Sequence, residues 1–118
     1  MRLALATDRP HPAPRTTAEA VRREMEARYY DPELRVRDIA RLLGLSQEEL
    51  SRRYKRETGT TVRQALVRLR LERARDLLRQ GMRIKEVAIV TGWSTQHHFS
   101  NTFRKRLGLW PSAVGAGS

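Results

Sequence analysis

Cysteine is absent from the 118-residue chain. Without thiols the chain can form no disulfide and has no thiolate chemistry, which agrees with a reducing compartment. No apolar run approaches the roughly 20 residues that cross a bilayer, and the apolar centre of MRLALATDRP is too short for a secretory signal. We therefore expect a cytoplasmic protein with no membrane role.

Motifs for catalysis and metal binding are also missing. The chain has no glycine-rich phosphate cradle and no nucleophile with a convincing partner base. His97 and His98 are adjacent, whereas a helical metal-binding pair needs a spacing of four residues. We expect no enzymatic activity, no metal and no cofactor.

Acidic residues are few relative to basic ones. The chain has 24 Lys and Arg against 13 Asp and Glu, which gives a formal net charge of +11. Such a charge attracts a polyanion, whose counterions are released on binding. Nucleic acid is the expected partner, and a generally cationic, solvated surface is the alternative.

A two-helix unit occurs twice. Residues 37–59 read RDIARLLGLSQEELSRRYKRETG, and residues 85–108 read KEVAIVTGWSTQHHFSNTFRKRLG. The two segments match in charge, size and apolar character, pairing Gly44 with Gly92 and, after the extra residue Thr95, Tyr54 with Phe103. We interpret them as a duplicated helix-turn-helix and expect double-stranded DNA as the partner.

Apolar periodicity, capping residues and helix-ending residues predict an all-α fold. Helices are expected over about 17–30, 36–43, 47–58, 84–91 and 96–107, with a connecting helix of about 19 residues between Thr61 and Gly81 and a short turn from Trp110-Pro111. The predicted organisation is a disordered tail or linker (1–15), a first helix-turn-helix subdomain (16–60), the connecting helix (61–81), and a second subdomain with the C-terminal tail (82–118).

Helical projection separates the two faces of each second helix. In the first unit Leu50, Tyr54 and Glu57 fall on one side, opposite Glu48, Ser51, Arg52 and Lys55. In the second unit Phe99, Phe103 and Arg106 fall opposite His97, Ser100, Asn101 and Arg104. The aromatic residues Tyr54, Trp93, Phe99 and Phe103 could stack on bases, but their helical spacing favours the core.

The polar faces hold the residues that we expect to contact DNA. Arg52 is our hypothesis for a guanine reader, and Gln96 or Asn101 for an adenine reader. Glu48 either accepts from a cytosine amino group or is repelled by phosphate. The predicted base-reading residues are Glu48, Ser51, Arg52, Gln96, His97, His98 and Asn101; the predicted phosphate-binding residues are Arg37, Lys55, Arg56, Lys85, Arg104 and Lys105.

The chain resembles the DNA-binding domain of the AraC/XylS family of bacterial transcription regulators. The resemblance covers about residues 17–114 and rests on IARLLGLSQEELSRRYKRETG, LVRLRLERARDLLRQG and IKEVAIVTGWSTQHHFSNTFRKRLGLWPSA. It implies a two-lobed domain of about seven helices that places residues 47–58 and 96–107 in adjacent major-groove segments. It also implies activation through contact with RNA polymerase, and repression at some promoters.

Three departures from the family pattern carry expectations of their own. Arg35 and Arg83 replace the usual Ser or Thr caps, so two helix starts should lack a side-chain acceptor. The closing pattern is altered after Trp110-Pro111, so the last helix should be short. Many members carry a separate effector or dimerisation domain, and we expect none within these 118 residues, which are either a DNA-binding fragment of a longer regulator or a free-standing one.

The sequence therefore predicts a transcription regulator that reads an asymmetric site through two unequal recognition helices. One alternative is a non-specific nucleic-acid-packaging or RNA-binding protein, which the net charge favours and the two unequal helices disfavour. The other is an enzyme or an adaptor whose helical repeat binds a protein partner.

Overall fold

Seven helices make up most of residues 14–116, the part of the chain that the computed structural model describes. They are α1 (Thr17–Arg28), α2 (Val36–Leu42), α3 (Gln47–Thr58), α4 (Val62–Arg79), α5 (Ile84–Val90), α6 (Gln96–Leu107) and α7 (Pro111–Ala116). The all-α fold of two helix-turn-helix units joined by a long helix is confirmed. Residues 1–13 of the predicted tail lie outside the described residues.

Helix α1 ends two residues earlier than predicted. Thr16 caps its start by accepting a hydrogen bond from the Glu19 backbone nitrogen at 3.1 Å. After Arg28 the chain turns, and the Asp31 nitrogen donates to the Arg28 carbonyl at 3.0 Å. The Tyr29 carbonyl accepts instead from the Arg70 side chain at 2.9 Å. The end of α1 is thus set by a tertiary contact as well as by Asp31-Pro32.

The two helix-turn-helix units have the same backbone design. In each, a helix of 7 residues is followed by one of 12 residues, α2–α3 and α5–α6. The turn glycines Gly44 and Gly92 have φ values of 72° and 89°, which residues with a β-carbon rarely adopt. After each glycine a backbone nitrogen returns to the preceding helix, Leu45 to Ala40 at 2.9 Å in the first unit. The predicted turns are confirmed.

The starts of α2 and α5 lack a side-chain cap, as the sequence predicts from Arg35 and Arg83. Arginine has only donors, so its side chain cannot accept from the free backbone nitrogens of a first turn. In α2 the Asp38 carboxylate compensates in part, because it accepts from the Arg35 backbone nitrogen at 2.9 Å.

Helices α3 and α6 begin at side-chain caps. The Ser46 hydroxyl accepts from the Glu49 nitrogen at 3.0 Å, and the Thr95 hydroxyl accepts from the His98 nitrogen at 3.0 Å. Ser94, which aligns with Ser46 before the extra residue, lies exposed in the turn. The residue that interrupts the repeat is therefore the cap of α6.

Removing that cap gives a direct stability test. Thr95→Ala leaves the first-turn nitrogen of His98 without its acceptor and should cost about 1 kcal/mol of unfolding free energy. Ser94→Ala, one residue away, should change stability by less than about 0.5 kcal/mol. Urea unfolding followed by circular dichroism measures both values, and equal losses would show that Thr95 does not cap α6.

Helix α4 passes through two hydrophobic cores. Its first half contributes Val62, Leu66 and Leu69 to one core, and its second half contributes Leu71, Ala74 and Leu78 to the other. The first core also contains buried residues of α1–α3, and the second contains buried residues of α5 and α6. We call α1–α3 with the first half of α4 the first lobe, and the remainder of α4 with α5–α7 the second lobe. At 18 residues, α4 is about 27 Å long.

The expected core aromatics are buried: Tyr54, Trp93, Phe99 and Phe103. Glu57 and Arg106, which the projection places with them, are both exposed. Each lies in the last turn of its helix. The Glu57 carboxylate accepts from the backbone nitrogen of Ala18 at 2.8 Å and so satisfies a free donor at the start of α1.

Candidate nucleic-acid interface

Helices α3 and α6 are each anchored on one face and exposed on the other. Leu50 of α3 and Phe99 and Phe103 of α6 are fully buried. Phe99 packs against Trp93 and Phe103, with ring centroids 5.5 Å and 5.6 Å away. Anchoring fixes the rotation of each helix about its own axis, and this rotation determines which polar residues face outward.

The outward faces contain the predicted DNA-contacting residues. Every predicted base-reading residue is exposed: Glu48, Ser51 and Arg52 on α3, and Gln96, His97, His98 and Asn101 on α6. Every predicted phosphate-binding residue is exposed as well: Arg37 on α2, Lys55 and Arg56 on α3, Lys85 on α5, and Arg104 and Lys105 on α6. Those on α3 and α6, apart from His98, lie along two exposed stripes, and both helices have basic last turns.

Glu49 organises the arginines of the first stripe. Its carboxylate accepts from Arg53 Nε at 2.6 Å through one oxygen and from the Arg52 guanidinium through the other. These hydrogen bonds, that of Arg53 first, lower the pKa of the Glu49 carboxyl despite the opposing effect of desolvation. Arg52 and Arg53 thus both pair with Glu49 at the surface of α3, a contact that the projection alone did not reveal.

The second stripe has different chemistry. The Asn101 amide nitrogen and His97 Nε2 lie 3.0 Å apart, one turn from each other on α6. His98 lies on another side of the helix, where its ring packs edge-on against Trp93 with centroids 5.3 Å apart. His97 and Asn101 therefore form one polar pair, and His98 is separate from it.

Arg104 lies at the C-terminal end of the second stripe. Its guanidinium donates to the Gly108 carbonyl at 2.7 Å and stacks 5.9 Å from the centre of the Trp110 ring. A cation at this end of a helix also interacts favourably with the helix dipole. In this arrangement the guanidinium remains exposed beside Lys105.

A cleft of about 320 Å³ separates the lobes and contains basic residues that the sequence analysis missed. Arg35, Arg63 and Arg70 line it, together with His98. Arg63 also borders a second groove beside Ser51 of α3, so it lies between α3 and the cleft that His98 of α6 lines. The sequence could indicate that Arg63 is an exposed basic residue in the first turn of α4. Its position between the lobes depends on tertiary packing.

The chemistry of this surface suits a polyanion. The described residues contain no group of three or more His, Asp or Glu that could hold a metal ion. None of the helices described is long and apolar enough to cross a membrane. Two exposed helix faces carry guanidinium, amide, imidazole and hydroxyl groups, and basic residues flank them. Groups of these kinds form hydrogen bonds with base edges and with phosphates.

The sequence is similar to those of known DNA-binding regulators. A family model described as a helix-turn-helix domain matches residues 39–116. The HTH-type transcriptional activator RhaS of Escherichia coli is 36% identical over 80 residues, which cover 67% of this chain and 29% of RhaS. The chain spans less than a third of the length of the curated relatives it matches.

Solved structures agree with the sequence matches. An AraC-type transcriptional regulator from Chromobacterium violaceum is 33% identical, with a TM-score of 0.76 over 85% of this chain and 89% of that one. The DNA-binding domain of the global transcriptional factor AdpA, solved in complex with a target DNA, is 27% identical, with a TM-score of 0.78 over 86% of this chain and 91% of that one. The chain belongs to the AraC/XylS family of DNA-binding transcription regulators.

Proposed function

We propose that this chain reads an asymmetric DNA site by placing α3 and α6 in two adjacent major-groove segments on one side of a duplex. The observation that carries this proposal is the pair of exposed, unequal stripes on two helices joined by α4. Successive major-groove segments on one face of B-DNA are about 34 Å apart, and α4 alone contributes about 27 Å. We therefore expect one protomer to contact both segments.

The proposed readers differ between the segments. Arg52, which is exposed and paired with Glu49, has the fork geometry that pairs with guanine, and Asn101 beside His97 has the donor and acceptor that pair with adenine. The basic residues Lys55, Arg56, Arg104 and Lys105 would neutralise phosphates and fix the register of the helices. Because the two stripes are not equivalent, the bound protein has a direction on DNA.

Selection of bound duplexes from a random pool, read by sequencing, tests this function. The proposal expects an asymmetric consensus with two informative segments about one helical turn apart. A non-specific packaging or RNA-binding protein would instead be displaced from the best selected duplex equally well by random DNA at physiological salt. An adaptor for a protein partner would keep its binding after charge reversal of the two stripes.

Two substitutions separate readers from anchors. Arg52→Ala should cost about 1–3 kcal/mol of binding free energy on the selected duplex and relax the preference at one base pair. Lys55→Ala on the same helix should weaken binding to all duplexes alike and reduce the salt slope by about one. Affinities on the selected duplex and its single-base variants, at several salt concentrations, measure both effects. Identical behaviour of the two variants would contradict the assignment of their roles.

We further propose that the bound protein acts as an activator with RNA polymerase in the bacterial cytoplasm. Support comes from the direction that an asymmetric site imposes and from the similarity to RhaS, which is an activator. Transcription with purified polymerase, from promoters carrying the selected site in both orientations, tests this. Stimulation from one orientation is expected, and equal transcription with and without the protein would contradict it.

A further inference from the structure

Arg70 occupies the junction between the lobes. It lies in the middle of α4 and is half-buried. Its Nε donates to the Tyr29 carbonyl at 2.9 Å, and a terminal nitrogen donates to the Asp31 carbonyl at 2.8 Å. Both carbonyls belong to the segment that follows α1. One guanidinium therefore fastens the centre of α4 to the first lobe through two hydrogen bonds.

The second lobe packs against the same guanidinium through Gly92. A β-carbon built on Gly92, in the turn between α5 and α6, would lie 2.2 Å from the Tyr29 carbonyl oxygen and 2.7 Å from Arg70 Nε. A side chain cannot fit there without movement of the backbone. Gly44, which has the same role in the first turn, has no atom within 4 Å of the corresponding position. The close approach at Gly92 therefore reflects lobe-to-lobe contact, which the turn itself does not require.

We propose that Arg70, seated between the Tyr29 and Asp31 carbonyls and Gly92, fixes the separation and angle of α3 and α6 and so determines which spacing between DNA segments the protein accepts. Arg70 is a positioning residue, since it acts through the lobes. The inference rests on the proposed two-segment function.

The chemistry of arginine suits this role. Its planar fork can donate to two carbonyls in a fixed geometry, whereas a lysine ammonium is a point charge on a flexible stem. Burial lowers the pKa of the Arg70 guanidinium from its ordinary value, and the nearby Asp31 carboxylate opposes this effect. Arginine stays protonated in proteins, so the contact persists over the working pH range.

Spacing is a sensitive readout because DNA is helical. With about 10.5 base pairs per turn of about 35 Å, one inserted pair moves the second segment by roughly 3.4 Å and rotates it by roughly 34°. A protein with a rigid junction cannot follow both changes. A protein with a loosened junction can follow both changes, although ordering its lobes on binding costs free energy.

The test uses the selected duplex and derivatives in which one or two base pairs are inserted or removed between the segments. The wild-type protein should lose about tenfold or more in affinity for one inserted pair. Arg70→Met should lose less than about threefold, and Arg70→Lys should fall between them. Gly92→Ala, which disturbs the junction from the other lobe, should also alter the spacing preference, whereas Gly44→Ala should retain the wild-type preference.

The outcomes separate the two claims. If the wild-type protein ignores the second segment altogether, both the two-segment function and the spacing role are wrong. If it needs both segments, yet folded Arg70→Met and Arg70→Lys keep the wild-type spacing profile, only the role of Arg70 is wrong. Circular dichroism identifies the folded variants, and a broadened profile in either Arg70 variant supports the proposal.

Discussion

Gly92→Ala is expected to destabilise the protein far more than Gly44→Ala, although both replace a turn glycine of the same repeat. The φ values are 89° at Gly92 and 72° at Gly44, and both positions disfavour an L-residue by about 1–2 kcal/mol. At Gly92 the added methyl group also meets the Tyr29 carbonyl and Arg70, and such overpacking adds about 1–3 kcal/mol. The total loss at Gly92 is therefore about 2–5 kcal/mol.

Urea and thermal unfolding of the two variants measure this difference. For a domain of this size each kcal/mol lowers Tm by about 4 °C, so the two midpoints should be well separated. Gly44→Ala is the matched control because it has the same backbone strain and open space around the new methyl group. Equal losses in the two variants would mean that the lobes do not meet at Gly92.

Phe99→Ala should weaken the second lobe and with it one half of the DNA footprint. The Phe99 side chain is fully buried against Trp93 and Phe103, and truncation of such a ring costs about 3–5 kcal/mol. The first core contains none of these rings. Because each lobe is small and has little stability to lose, α6 should lose its fixed position while α3 keeps its own.

Leu50→Ala is the matched variant in the first lobe, since Leu50 and Phe99 correspond in the repeat and are equally buried. In footprints on DNA, we expect Phe99→Ala to weaken protection of the DNA segment that α6 contacts. We expect Leu50→Ala to weaken protection of the DNA segment that α3 contacts. Hydrogen exchange should show the same division between the lobes. If either substitution abolished both segments and exposed both cores together, the lobes would be one cooperative unit.

Local sequence signals predict most of this fold because most of its helices are bounded by local chemistry. The caps Thr16 and Ser46 and the glycine turns place their helix boundaries within one or two residues of those observed. The apolar spacing of Leu50 and Phe99 identifies the buried faces. These features depend on residues at most four positions apart, and the repeat provides the glycine turn and the buried face twice.

Features that depend on contacts between distant residues could not be predicted in the same way. Arg70 and Tyr29 are separated by 41 positions, and the spacing of Arg70 with the buried residues Leu66 and Ala74 does not tell which carbonyls its guanidinium reaches. Arg63 is likewise identified as an interface residue only when the cleft is present. For the candidate readers the sequence predicted the exposed faces, and the pairing of Arg52 with Glu49, three positions apart on one helix, is a local contact that helical spacing could also have indicated.

Methylation protection of the selected duplex is the measurement that tests the central claim most directly, because methylation of guanine N7 reports contact in the major groove. We expect one protein molecule to protect two major-groove segments on the same face, centred about 10.5 base pairs apart. Arg52→Ala should remove protection in one segment only, and Asn101→Ala in the other only. Protection limited to a single segment in the wild-type protein would contradict the account.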